Sequence, residues 1–261
     1  MFLENSIFGS FHIIVLVLCI ALIVAASILL RNIKFNTAVN IMLVIGVISE
    51  SIKVFYYIVA NESTLNGYLP KTDLPFHLCS IQIIFFAVLK LFKSEKVKNV
   101  LVSFMIPTCL IGGAGALFLP THSARNAMIV TIQYFMYHSG IIWFAIYNLV
   151  SKDFKLTIDG YVSTLIFLFI TLFVAIYLNS WIYDGRVDAN GVATNSINFM
   201  YVVGPPVEGL PFLNKDHGWL VYILRYSLLA VTAVTICYLK PIINFFKSLR
   251  GKNKNNSEEI A

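Results

Sequence analysis

Residues 8–30 read FGSFHIIVLVLCIALIVAASILL, a run with no Asp, Glu, Lys or Arg. A helix crossing the hydrocarbon core of a bilayer needs about 20 such residues. The run is longer than the apolar core of a signal peptide, and no Lys or Arg precedes it. It therefore reads as a retained membrane span. That reading decides the fold class. In lipid every backbone amide and carbonyl must find an internal partner, which leaves helices and closed barrels, and an unbroken apolar run of this length has the pattern of a helix.

Working outward, six further stretches of the same character follow. They run approximately Asn36–Ala60, Leu74–Phe92, Val97–Leu119, Asn126–Val150, Gly160–Ile182 and Gly218–Phe246. The expected architecture is all-α, a polytopic membrane helix bundle of seven transmembrane helices. Composition agrees. Of the 261 residues, 58% are hydrophobic and only 12% are charged, about half the usual share for a soluble domain. That excludes a soluble enzyme, a disordered chain and a nucleic-acid-binding protein. The formal charge of +6 sits in short clusters between apolar runs, which is how membrane proteins display charge.

The clusters set an orientation. With the C-terminus in the cytoplasm, thirteen of the nineteen Lys and Arg residues fall at the cytoplasmic side. Four face outward: Lys71, Arg125, Arg186 and Lys215. Lys53 and Arg225 lie inside spans. The positive-inside rule then puts the N-terminus outside. Residues 1–250 form one membrane domain. Its longest connection, an outer loop at residues 183–217, carries turn-forming Gly and Pro residues. The apolar stretch from Phe199 to Val203 within it predicts that the loop folds back onto the bundle. Residues 251–261, rich in Asn with Lys and Glu, read as a disordered cytoplasmic tail. In the fourth stretch Pro107 removes a backbone donor and predicts a kink. The glycines at 112, 113 and 115 predict either close helix packing or local unwinding.

Cys19, Cys79, Cys109 and Cys237 all lie in apolar runs, with no CxxC or CxxH pair. Neither a metal site nor a disulfide framework is indicated, and no cofactor is called for.

Ionisable and polar groups inside a bilayer are costly and usually functional. Here they are Glu50 and Lys53 in the second stretch, and His77, Cys79 and Gln82 in the third. The fifth has Gln133, Tyr134, Tyr137 and His138. The sixth ends with Asn179, and the seventh holds Arg225. Most lie between the midplane and the outer surface, which predicts a polar cavity opening outward. Glu50 and Lys53, at i and i+3, share a helix face and can neutralise each other. Arg225 has no acid in its own span, so Glu50 or a lipid phosphate is its expected partner. Tyr134 and His138 share a face, as do Cys79 and Gln82. A thiol in an apolar setting becomes a nucleophile only beside a base. His138 is one candidate base, and His77 is a second if the third helix starts irregularly near Pro75. The alternative is a buried histidine that only bonds a neighbouring helix. On straight helices His138 lies about 10 Å deeper than Cys79. His12, His122 and His217 fall near span ends and read as interfacial.

Leu74-Pro75-Phe76-His77-Leu78-Cys79-Ser80 resembles the Leu-Pro-x-His-x-Cys segment of the YwaF-like bacterial integral membrane proteins, relatives of the vertebrate transmembrane protein 164 acyltransferases. Residues Gln133 to Gly140, centred on His138, look like that family's span with a central His. Asn198-Phe199-Met200-Tyr201, then Gly204-Pro205-Pro206 and Gly218-Trp219-Leu220-Val221-Tyr222, look like its outer aromatic segment. Gly204-Pro205-Pro206 departs from the more usual Lys-Pro or Cys-Pro, and Phe199 stands where Tyr is common. The resemblance implies a multi-pass protein of the bacterial cytoplasmic membrane. It implies acyl transfer between phospholipids and lysophospholipids through a thioester on Cys79, with His138 as general base. Membrane lipids would be its substrates. Asn198 or Tyr201 would donate to the oxyanion and Arg225 would hold the lipid phosphate. His77, Gln82, Glu50, Lys53, Gln133 and Tyr134 would support the site. The competing reading is a transporter or permease component, resting on Glu50, Lys53, Arg225 and the Pro/Gly-interrupted fourth span. A third is a ligand-binding sensor that needs a signalling partner.

Overall fold

The structure, a computed structural model, describes residues 8–60, 69, 71–120, 128–151, 154–183, 185, 197–206, 210 and 212–258. His122, Arg125, Lys152, Arg186 and much of the 183–217 segment lie outside the described residues, as do residues 259–261.

Among the described residues eight α-helices follow one another: α1 (Ser10–Leu29), α2 (Phe35–Phe55), α3 (Leu78–Leu91), α4 (Glu95–Phe118), α5 (Met128–Val150), α6 (Ile158–Ile182), α7 (Trp219–Cys237) and α8 (Leu239–Glu258). Among the described residues no strand occurs. Each of the seven expected stretches yields a helix, and six are long and apolar enough to cross a membrane. The exception is α3, whose 14 residues rise only about 21 Å. Pro75 shortens it. The residue before a proline is pushed out of the helical region, so the chain first makes a 3-10 turn at Lys71–Asp73. The Phe76 amide then closes onto the Leu74 carbonyl at 2.7 Å. Helix begins only after His77, which is extended (φ −74°, ψ 150°).

The centre is α4 and α5. Their apolar windows are 61% buried, against 11–28% for the other long helices, so the rest present most of their surface to lipid. α5 packs on α1, α2 and α4, and α2 packs on α3. Close approach is bought at Gly113, where a Cβ would stand 2.6 Å from Ile142 Cγ1. Gly112 and Gly115 face open space. Of the three glycines Gly113 alone serves packing, and α4 runs unbroken through Pro107 rather than unwinding. The carbonyl that Pro107 leaves without a helical donor belongs to Ser103. The Tyr238 hydroxyl donates to it at 2.9 Å from across the bundle.

The last stretch is interrupted at Tyr238 (φ −101°, ψ 9°). Pro241, three residues on, cannot donate to the Cys237 carbonyl, so α7 ends and α8 restarts with the proline in its first turn. α8 continues as helix to Glu258, into the segment whose composition predicts a disordered tail from residue 251. Extending a helix adds one hydrogen bond per residue fixed and avoids the cost of nucleation.

Candidate functional site

The short α3 puts Cys79 in the first turn of a helix, where backbone N–H groups have no helical acceptor. The Ser80 amide and hydroxyl lie close enough to the Cys79 sulfur to act on it electrostatically. Helix N-termini favour anions through these amides and the aligned peptide dipoles, and they activate thiols for the same reason. Cys79 is half-buried, whereas Cys109, the central cysteine of α4, is fully buried.

α5 meets this turn directly. The Tyr137 hydroxyl donates to the Cys79 carbonyl at 2.6 Å. Residue 137 is therefore level with the first turn of α3 to within the reach of one side chain. His138, the next residue, is buried. Its Nδ1 lies 2.7 Å from the Tyr134 carbonyl, which can only accept, so Nδ1 carries the proton. Nε2 is then the basic nitrogen, and it has no hydrogen-bond partner among the described residues. The Tyr134 ring lies against the imidazole, tilted by 45° with centroids 4.2 Å apart, and its hydroxyl donates to the Ala116 carbonyl.

A loop closes over this end of the bundle. Residues 197–206 fold back, as their apolar character predicts, and Asn179 at the end of α6 clamps them. Its Oδ1 accepts from the Phe199 amide at 2.9 Å, and its Nδ2 donates to the Phe199 carbonyl at 3.1 Å. Trp219 Nε1 donates to the Val202 carbonyl at 2.8 Å, and the Tyr222 hydroxyl donates to the Tyr201 carbonyl. Met200 and Tyr201 have positive φ (54° and 56°), a conformation that costs energy in bulky residues and persists where surrounding contacts impose it. The loop presents Phe199 and Tyr201 to His77, with ring centroids 5.3 and 5.8 Å away.

His77 caps α3 and lies outside it. Burial, with the Lys53 charge adding to it, pushes its pKa down to about 4. Its ring bonds the Thr72 backbone. His77 is thus a neutral support between the 197–206 loop and the 3-10 turn. Asp73 in that turn has its carboxyl pushed up by burial, opposed by the Lys53 ammonium and the Tyr57 hydroxyl.

The remaining sequence candidates divide. Lys53 pairs with Glu50 at 2.7 Å and lies within electrostatic range of Cys79, His77 and Asp73. Gln82 is fully buried and donates to Thr108 Oγ1 at 3.0 Å. Gln133 donates to Ser49 Oγ, which joins α5 to α2. Asn198, expected as an oxyanion donor, spends its amide inside the loop. Nδ2 donates to the Gly204 carbonyl and Oδ1 accepts from the Val203 amide, because a turn this tight leaves backbone groups that only a side chain can reach. Arg225 does not meet Glu50. Its Nη1 donates to Asn214 Oδ1 at 3.3 Å, and its guanidinium lies 5.8 Å from the Phe212 ring. Glu50 is occupied by Lys53 one turn along its own helix. His12, read as interfacial, is buried and joins the Leu117 carbonyl at 2.8 Å, tying α1 to α4.

Tyr137, Ser80 and Asp73 escaped the sequence reading as site residues. Asn179 was visible there only as a polar residue at a span end. A tyrosine in an apolar run carries no signal of its target, and a first-turn amide is recognisable only once the helix start is known.

No curated protein and no solved structure matches the chain. The model of the TMEM164 family matches residues 6–238, a stretch that holds α1 to α7 and every residue of the site, and the chain is accordingly a multi-pass membrane protein of the TMEM164 family.

Proposed function

We propose that this protein is a cysteine-dependent lipid transacylase. The observation that carries the reading is the state of His138. It is a buried neutral imidazole whose Nδ1 proton is fixed on the Tyr134 carbonyl and whose Nε2 is left as a base, one residue from the tyrosine bound to Cys79.

The chemistry balances without a further reactant. The Cys79 sulfur attacks an acyl ester carbonyl of a phospholipid as His138 Nε2 takes the thiol proton. The carbonyl oxygen becomes an oxyanion to which the first-turn amides of α3 donate, in the role assigned from sequence to Asn198 or Tyr201. The carbon–oxygen ester bond breaks, His138 returns its proton to the departing alkoxide, and a lysophospholipid leaves. A second lysophospholipid hydroxyl then attacks the thioester, giving its proton to His138 and then to the sulfur. Sparse water around an apolar thioester favours transfer over hydrolysis. Arg225, paired with an amide rather than a carboxylate, keeps guanidinium N–H groups for a lipid phosphate. With the orientation drawn from the charge split, the site serves the outer leaflet of a bacterial cytoplasmic membrane.

The test uses full-length protein in liposomes holding a phospholipid with one isotope-labelled acyl chain and an unlabelled lysophospholipid. Label should move to the lysophospholipid, and hydroxylamine should release it from Cys79. Cys79→Ala should abolish transfer while circular dichroism and thermal unfolding stay at wild-type values. Undiminished transfer by a folded Cys79→Ala protein would overturn the proposal.

A further inference from the structure

Beside the site, α2 and α3 enclose an apolar groove of about 510 Å³, within the usual size range of ligand clefts. Its α2 wall is one helix face, Val47, Ser51, Val54 and Ile58, with Ile83 of α3 opposite. Its origin is the mismatch in length between the two helices. They touch at Gly46, where a Cβ would stand 2.8 Å from Ile83 Cγ1. Four residues onward along α2 is Glu50, and four residues back along the antiparallel α3 is Cys79. Both lie about 6 Å beyond the contact, so the groove passes the level of the sulfur. Just past that level α3 ends at Leu78, while α2 and its π-helical turn continue to Ala60. Among the described residues the upper part of the α2 face is therefore uncovered. Phe55 and Ile58 on it are exposed, as is Val47 nearer the contact.

The dimensions choose the occupant. Val47 to Ile58 spans about 16 Å, roughly one leaflet, half of what a transmembrane helix of another chain would need. Apart from Ser51 the walls are aliphatic and aromatic, and the carboxylate of Glu50 on the lining is neutralised by Lys53. Such a groove fits a single hydrocarbon chain and offers nothing to a polar solute. We propose that the α2–α3 groove is a lateral portal in which a membrane phospholipid lays one acyl chain, bringing its ester to Cys79. The inference rests on the transacylase reading and names the substrate-binding surface of that site.

The test is photolabelling of the full-length protein in liposomes. The probe is a phosphatidylcholine with a diazirine in one acyl chain, and labelled peptides are mapped by mass spectrometry. Label should concentrate on residues 47–58, several-fold above the lipid-facing side of α6 at Ile166, Phe169 and Phe173. It should do so in wild type and in Cys79→Ala alike, because occupancy precedes chemistry. Ser51→Trp and Val54→Trp, placed on a lipid-facing wall outside the core, should each cut labelling of the groove and slow acyl transfer several-fold. Equal labelling of the groove and α6, or labelling unmoved by both tryptophans, would overturn the portal even if the protein transfers acyl chains. Groove-specific labelling in a protein that transfers none would sink the transacylase reading and leave the portal standing.

Discussion

A buried imidazole with one nitrogen tied to a carbonyl and the other unpartnered leaves a base available to neighbouring groups. Nδ1 of His138 donates to Tyr134 and Nε2 has no partner among the described residues. Replacing His138 with Gln keeps a polar side chain of similar reach and removes the base. Acyl transfer should fall by about 10²–10⁴-fold, the usual contribution of a positioned general base, with the folded state intact. Labelled-lipid kinetics measure it, and an activity within a few-fold of wild type would remove His138 from the mechanism. Tyr137→Phe makes a finer cut. It deletes one hydrogen bond to the Cys79 carbonyl, at a cost of about 1 kcal/mol that should appear as a lowered unfolding temperature. The Cys79 and His138 residue types were legible in the sequence because thiols and imidazoles are rare in lipid-facing runs. The bond from Tyr137 to the Cys79 carbonyl was not, since a tyrosine among the polar groups of a span carries no record of its partner.

At the scale of elements, the fold-back loop and the truncated α3 build the site together. Asn179 holds both backbone groups of Phe199, and Asn179→Ala would leave the Phe199 amide buried and unpaired, costing about 1–3 kcal/mol, while the carbonyl keeps the Val202 amide. The expected outcome is accelerated hydrogen exchange at the Phe199 amide with α4 and α5 amides unchanged; unchanged exchange at Phe199 would show that the loop docks without its clamp. Gly113→Val tests the central helix pair. Its Cβ would collide with Ile142 and approach the His138 carbonyl at 3.3 Å. Overpacking typically costs about 1–3 kcal/mol, and here it should also slow transfer by displacing His138. The sequence marked both elements by their composition, Pro75 and the 199–203 apolar patch. It did not locate where α3 begins. That depended on the 3-10 turn at Lys71–Asp73 and on His77 packing against the Phe199 and Tyr201 rings.

For the whole molecule, the charge split predicts a cytoplasmic C-terminus. A C-terminal green fluorescent protein fusion made in a bacterial host should fluoresce, and a C-terminal alkaline phosphatase fusion should stay inactive; the reverse pattern would invert the orientation. Acid should act through His77. Its folded pKa of about 4 lies below the ordinary value of 6.5. The unfolded or undocked form therefore binds the proton first, and the stabilisation by neutral His77, complete above about 6.5, is lost as pH falls through about 4. Trp219, bonded to the Val202 carbonyl, is the reporter: its fluorescence should shift in that window and hold steady in His77→Phe. What the sequence determined by itself is the membrane class, the all-helical fold and the residue types of the site. These follow from the length of apolar runs and from the cost of placing polar groups in lipid, both local properties of the chain. Only the tertiary structure decided which polar groups are committed to bonds within the fold. It committed Gln82, Gln133 and Asn198 to internal bonds, gave Glu50 to Lys53 instead of Arg225, and brought Tyr137 to Cys79. Those outcomes depend on which helices touch and at what height, and composition carries no record of either.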